Sequence, residues 1–283
     1  METLNDAFEI YLCDLNRRQR KTVDSMERTW RNNVAETLGH KNIKRLKRLD
    51  IIKLFNEITE RAPGVANRCV GIISSVLNIA VEHELVEHNV CKGIKKNRET
   101  KRKRYYTPDE LKRIFKALDA RSSDPKNRES IAFIKLLIYT GARCGEIANA
   151  RWCDLHGDKI ILKEHKTDDK DDARVIHLNP QAKAVINSLE RKGEQVSLIG
   201  INRPRRLWYS IRKEAGCPDL RLHDLRHSFA SYAFKSKKVS GEEVGNLLGH
   251  KSMQTTMRYM HIMDDTAKQN AKDVGTEIFN SIN

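Results

Sequence analysis

The sequence predicts a mainly α-helical protein of two domains with one small antiparallel β-sheet. Three observations lead there. Apolar residues recur at helical spacing through most of the 283 positions. One pair of segments, 159–163 and 173–178, has the apolar β-branched runs and polar connection of a hairpin. A run at 95–104, in which seven of ten residues are Lys or Arg and none is apolar, divides the chain.

The elements follow in order. Leu4, Ala7, Phe8, Tyr11, Leu12 and Leu15 form one apolar stripe and predict a first helix. A second is expected over 22–38, ended by Gly39. A third covers 50–61, with Ile51, Leu54, Phe55 and Ile58 inward, and stops at Ala62, Pro63 and Gly64. A fourth spans 65–83 on Val70, Ile73, Leu77 and Val81. These helices make a first domain, 1–94, whose basic faces suit DNA contact as well as plain solvation. Residues 95–106 read as a solvated linker whose charge also suits it to lie along a phosphate backbone, where each neutralised phosphate releases counterions. The second domain, 107–283, opens on a capping box, with Thr107 at N-cap, Pro108 at N1 and Glu110 at N3. Helices are expected at 108–120, 127–140 and 143–150, with a turn at Gly141. The hairpin comes next, and helices then continue to the end. No internal repeat or low-complexity segment interrupts them.

Composition narrows the function. Hydrophobic residues make up 39% and charged residues 32%, as in a soluble globular protein. No apolar run approaches the roughly 18 residues that span a bilayer. The acidic N-terminus lacks the apolar core of a secretory leader, so a cytoplasmic location is expected. Fifty-three Lys and Arg against 38 Asp and Glu give +15, which favours a polyanionic partner. That charge is spread along the chain rather than gathered on one amphipathic helix, so nucleic acid is favoured over a membrane surface. Cysteines 13, 69, 91, 144, 153 and 217 show neither a CxxC pair nor zinc spacing and read as reduced thiols.

Four blocks of the second domain carry chemistry-bearing residues. Arg143 follows the Gly141 turn at a helix start, where it can meet a phosphate, and Glu146 lies one turn on, placed to hold its guanidinium. Alone, such a pair is more often a surface ion pair. Lys166 sits at the hairpin tip between His165 and Thr167, where a lysine is ordinarily just solvated. His223 and Arg226, three apart, share a helix face. His227 lies four from His223, but without an intervening Glu or a third ligand a metal site is disfavoured. The fourth block is Leu247, Leu248, Gly249 and His250, followed nine residues later by Tyr259, a residue type that is usually structural near a C-terminus.

Taken together, Arg143, Lys166, His223, Arg226, His250 and Tyr259, in this order, resemble the catalytic set of the tyrosine recombinase (phage integrase) family. The resemblance covers about 107–263. The first domain also resembles that family's core-binding domain, including Ala66, Asn67 and Arg68 at a helix start. The implied fold is the two-domain tyrosine recombinase architecture, a helical core-binding domain and a mixed α/β catalytic domain. The implied roles are specific. Tyr259 is the nucleophile, leaving a 3′-phosphotyrosine and a free 5′-hydroxyl. Arg143 and Arg226 clamp the non-bridging oxygens. Lys166 protonates the departing 5′-oxygen. His223 and His250 assist proton transfer and hydrogen-bond the phosphate, with Glu146 and His227 in support. No cofactor or metal is implied, and resealing without ATP accords with the lack of a GxxxxGK[ST] loop.

The resemblance also implies partners. These are a double-stranded DNA recombination site and a homo-tetramer on two duplexes, with a monomer or weak oligomer expected without DNA and no membrane involved. It leaves room for an accessory DNA-bending protein. Val274, Ile278 and Ile282 form a narrow stripe near the C-terminus, expected to pack into a neighbouring subunit. Two departures stand out. An arm-binding domain is not expected among residues 1–94, whether the protein works without one or has had one removed, and His88, Asn89 and Val90 stand where Asn-Pro is often found. The expected task is integration or excision of a mobile element, favoured by the Thr-Gly-Ala-Arg block followed by Arg151 and Trp152. A Xer-like resolvase of chromosome or plasmid dimers shares the same residues. A type IB topoisomerase is disfavoured by the core-binding domain, and a protein that only binds DNA would keep a full catalytic set without using it.

Overall fold

The structure, a computed structural model, describes residues 3–20, 22–99, 104–163, 173–236, 239–250 and 252–257. The chain divides into two compact units, Met1–Lys101 and Arg102–Asn283.

The first unit is helical. Helix α1 (Leu4–Arg17) starts where the Thr3 hydroxyl accepts from the Asp6 amide at 3.2 Å and the Asp6 carboxylate accepts from the Thr3 amide at 3.0 Å. Its six stripe residues are all buried, and Phe8 stacks flat on Trp30 of α2 (Val23–Asn33), with centroids 4.1 Å apart. The expected single helix over 22–38 is in fact two pieces. Val34, fully buried, leaves helical geometry at φ −124°, and Ala35–Gly39 winds as a wider π turn. Helix α3 (Arg48–Arg61) then packs on α4 (Pro63–Glu82), the core helix of the unit. At 20 residues and mean hydropathy 1.5, α4 is long and apolar enough to cross a membrane, contrary to the reading that nothing approaches that length. Half of that window is buried inside this helical unit and exposed Arg68 interrupts it, as suits a core helix.

Asn67 and Asn89 explain how the chain leaves this unit. The buried Asn67 amide accepts from the Asn97 N–H at 2.8 Å and donates to the Asn97 carbonyl at 3.0 Å and to the Glu99 carboxylate at 2.7 Å. Thus 95–99, within the expected solvated linker suited to a phosphate backbone, bonds back onto α4 through a side chain that burial obliges to find partners. Asn89 is likewise buried, donating to Asn78 at 2.6 Å and accepting from the Cys91 amide at 2.9 Å.

The second unit is built around α6 (Arg128–Thr140), whose Ile131, Phe133, Ile134, Leu136, Leu137 and Ile138 are all buried. A helix apolar on every side must be covered on every side. Helices α8 (Pro180–Asn187) and α10 (Leu222–Lys235) pack on it, while α5 (Pro108–Asp119) lies against α9 (Arg205–Glu214). The capping box forms as expected, with Glu110 N donating to the Thr107 hydroxyl at 3.2 Å. The short α7 (Cys144–Asn149) leads to an antiparallel sheet of β1 (Leu155–His156), β2 (Lys159–Leu162) and β3 (Arg174–His177) in that order. Strand β1 was not expected. Gly157 at φ +62° and Asp158 make the two-residue turn that pairs it with β2. Near the end, α11 (Gly241–Leu248) and α12 (Met253–Thr256) follow α10. Ala230, Phe234, Val244 and Leu248 form a separate small core there.

Candidate active site

Two turns of the second unit carry the candidate residues. The first ends α6 at Gly141, in the left-handed region at φ +63°, where a Cβ would fall 2.5 Å from the Phe229 ring. This reversal places Arg143 at the N-cap of α7. Its Nη1 donates to Glu146 Oε1 at 2.6 Å, and its amide donates to Glu146 Oε2 at 2.9 Å. Glu146 is buried. Burial pushes its pKa up, but the Arg174 charge and the Arg143 amide and guanidinium outweigh that and hold it below the usual carboxylate value.

The second turn ends α11 at Gly249, φ +64°. Arg226, buried on α10, joins the two turns, its Nη1 donating to the Gly141 carbonyl at 2.8 Å and its Nη2 to the Leu248 carbonyl at 2.6 Å. Arg143 Nη2 reaches the next carbonyl, Gly249, at 3.2 Å. The two guanidiniums therefore meet on adjacent peptides, although 83 residues of sequence separate them. His250 follows at once, and its Nδ1 lies 2.8 Å from the hydroxyl of buried Thr256.

His223 and His227 occupy the first turns of α10, their rings edge to face at 4.9 Å. The protein packed around one side of His223, with His227, Arg226 and Arg143, pushes its imidazole down to about 4, while Asp224 opposes them. The other side is open to solvent, which moderates that push. A cleft of about 600 Å³ is lined by Arg143, Glu146, Arg203, Arg205, Arg221 and His223 among others. Such a concave cluster of guanidiniums suits an anionic ligand.

Of the residues picked out from sequence, Arg143, Glu146, His223, Arg226, His227 and His250 lie in the described part of this unit. Lys166 and Tyr259 lie outside the described residues, as do Val274, Ile278 and Ile282. Two residues escaped sequence reasoning. Arg174 is buried behind Glu146, and Thr256 holds His250. Arg174 left one signal, a charge at an inward position of a strand whose next inward residue is Ile176. Arg104 of the basic run is committed within its own unit, donating to Glu110 at 2.6 Å and Asp219 at 2.8 Å. Among the described residues, no group of three or more His, Cys, Asp or Glu side chains is placed to hold a metal.

Two family profiles match this chain. The phage integrase family matches residues 104–266, and the phage integrase central domain matches residues 10–97. A Mycobacterium tuberculosis protein named as the integrase of prophage phiRv2 is 26% identical over 259 residues, covering 81% of this chain and 67% of that protein. The ICEBs1 integrase of Bacillus subtilis is 26% identical, over 74% of this chain and 65% of its own length. The chain thus spans about two thirds of these two relatives. A tyrosine recombinase of Thermosipho africanus is 23% identical over 93% of this chain and 96% of its own. Among solved structures, a lambda integrase (75–356) dimer bound to a core site superimposes with TM-score 0.72 at 18% identity, covering 91% of this chain and 95% of that one. At that identity the likeness is one of fold.

Proposed function

This chain belongs to the phage integrase family, the tyrosine-type site-specific DNA recombinases, and on that premise we propose that it cleaves and rejoins DNA through a 3′-phosphotyrosine at Tyr259. The observation that carries the proposal is the meeting of the Arg143 and Arg226 guanidiniums on the carbonyls of Leu248 and Gly249, immediately before His250. Two fixed guanidiniums beside two imidazoles suit a phosphodiester whose non-bridging oxygens gain charge in the transition state.

In this reading the Tyr259 hydroxyl gives its proton to a neutral imidazole, His223 or His250, as its oxygen attacks the scissile phosphorus, and the bond from phosphorus to the 5′-oxygen breaks. Lys166 delivers the proton that the 5′-oxygen takes up, and His223 and His250 hydrogen-bond the phosphate and assist that transfer. Glu146 and His227 support the set. The reverse attack by an incoming 5′-hydroxyl restores the phosphodiester, since the phosphotyrosine keeps its energy. Residues 1–94 form the core-binding domain, 107–283 the catalytic domain, and 95–106 join them. The protein works in the cytoplasm on a double-stranded recombination site. It assembles as a homo-tetramer on two duplexes, integrating or excising a mobile element. The likeness to prophage and ICEBs1 integrases supports that task, and a lambda integrase tetramer on a Holliday junction is among the solved structures of this fold.

The test uses nicked suicide duplexes from a fragment library, resolved under denaturing conditions. Covalent adducts with the parent and none with Tyr259→Phe are expected. Non-covalent binding by both proteins without any adduct would overturn the catalytic reading.

A further inference from the structure

We propose that Arg174 is a positioning residue of the recombination reaction, one that draws on the Glu146 carboxylate, so that the Arg143 guanidinium faces the phosphate, and that fixes the turn ahead of His250. This inference rests on the reading above. Arg174 opens β3 on its inward face, opposite Leu162 of β2, and is 5% exposed. A guanidinium there is costly unless its surroundings return hydrogen bonds and opposite charge. They do so in part. Its Nη2 donates to the Leu247 carbonyl at 2.9 Å, its Nη1 donates to the Val175 carbonyl and reaches the Asn246 carbonyl at 3.5 Å, and its Nε, which has no hydrogen-bond partner, lies 3.5 Å from Glu146 Oε2. Burial still outweighs that carboxylate and lowers the guanidinium pKa. Gly249 completes the seat, since a Cβ there would fall 2.6 Å from the same Nε.

Two consequences follow. The first concerns charge. Glu146 pairs with Arg143 at 2.6 Å, and a lone carboxylate at that distance would cancel much of what Arg143 offers a phosphate. With Arg174 behind it, two guanidiniums share the one carboxylate of Glu146, and with Arg226 on the neighbouring Leu248 carbonyl these four side chains carry a net two positive charges toward the phosphodiester. The second concerns shape. Arg174, Arg226 and Arg143 donate in turn to the carbonyls of Leu247, Leu248 and Gly249, the peptides that a helix leaves unsatisfied at its end. Arg174 is the member of that trio that arrives from the sheet. One buried cation thus links the sheet to the turn that carries Arg143 and to the helix end that precedes His250.

The test compares the parent with Arg174→Gln and Arg174→Lys in three measurements: duplex affinity, single-turnover adduct formation across pH at saturating duplex, and the arginine Nε–Hε signals of the free protein by NMR. The duplex is the one recovered from the suicide library. Arg174→Gln is expected to slow adduct formation by about 100-fold, the scale of a small misplacement of a reacting group, with affinity nearly unchanged. Glu146, relieved of a neighbouring cation, takes up a proton at higher pH, so the acid limb of the rate profile moves up. The Arg143 signal shifts, and Arg174→Lys, which restores the charge, recovers part of the rate and returns the acid limb. A parent-like rate in Arg174→Gln, or a slower rate with the acid limb and the Arg143 signal unmoved, would overturn the proposal. If Arg174→Gln does not fold, Arg174→Lys decides on rate and the Arg143 signal alone, since it keeps the charge and loses the paired carbonyl bonds: a slower rate with a shifted Arg143 signal is expected, and an unmoved Arg143 signal would overturn the proposal. A parent that forms no adduct sinks the recombinase reading instead. The Arg143 signal then still decides whether Arg174 places that guanidinium.

Discussion

His223 and Glu146 set the charge of the candidate site in opposite ways. The His223 imidazole is pushed down from 6.5 toward about 4 because the protein packed on one face, His227, Arg226 and Arg143 all oppose a proton, a push that its solvent-open face moderates. As pH falls from about 6.5 toward 4 the unfolded chain takes up that proton first, so folding stability declines through that window and is untouched above it. Urea denaturation at a series of pH values is expected to show this decline in the parent and a flatter profile in His223→Gln. Equal slopes in the two proteins would show that His223 titrates normally. Glu146 acts lower. Its pKa is held below 4.5, so the stability it contributes is present above that value and is lost only as pH falls beneath it. The two windows barely overlap, which lets one titration series separate them.

At the scale of elements, the site depends on how α6 and α11 end. Both stop at a glycine in the left-handed region, and the carbonyls exposed there receive the guanidiniums of Arg226, Arg143 and Arg174. Gly141→Ala adds backbone strain and drives a methyl to 2.5 Å from the Phe229 ring. A loss of about 2–4 kcal/mol is expected, from left-handed strain and overpacking combined. Denaturant unfolding measures it, and a loss under about 1 kcal/mol would mean that the ring yields freely. The first ending was legible beforehand, since Gly141 follows an apolar stretch directly, and Thr107 with Glu110 announced α5; the end of α11 at Gly249 was not read as one. The π turn over Ala35–Gly39 and strand β1 were not legible. The first depends on where buried Val34 must sit, and the second is only two residues long, too short for a period to register.

For the whole molecule, charge and assembly are the open scale. A net charge of +15 supplies long-range attraction to a polyanion, yet not every basic residue is available for it. Arg104 is held by Glu110 and Asp219, and Arg174 is spent inside the fold. Assembly is expected to depend on the stripe of Val274, Ile278 and Ile282. Deleting 268–283 should leave adduct formation on a single site intact and prevent four protomers from gathering on two duplexes, as read by sedimentation with DNA. Unchanged assembly would show that the stripe serves its own subunit.

The sequence by itself determined the helical class and the inward stripes, because period and caps are local and act through neighbours three or four residues apart, while Arg143, Lys166, His223, Arg226, His250 and Tyr259 stood out as a set by their resemblance to the family. Only the tertiary structure decided that Asn67 would hold 97 and 99, that Thr256 would hold His250, and that Arg174 would stand behind Glu146. Those assignments come from burial. A polar group taken from water must bond to whatever faces it, and what faces Arg174 is a helix end more than 70 residues along the chain.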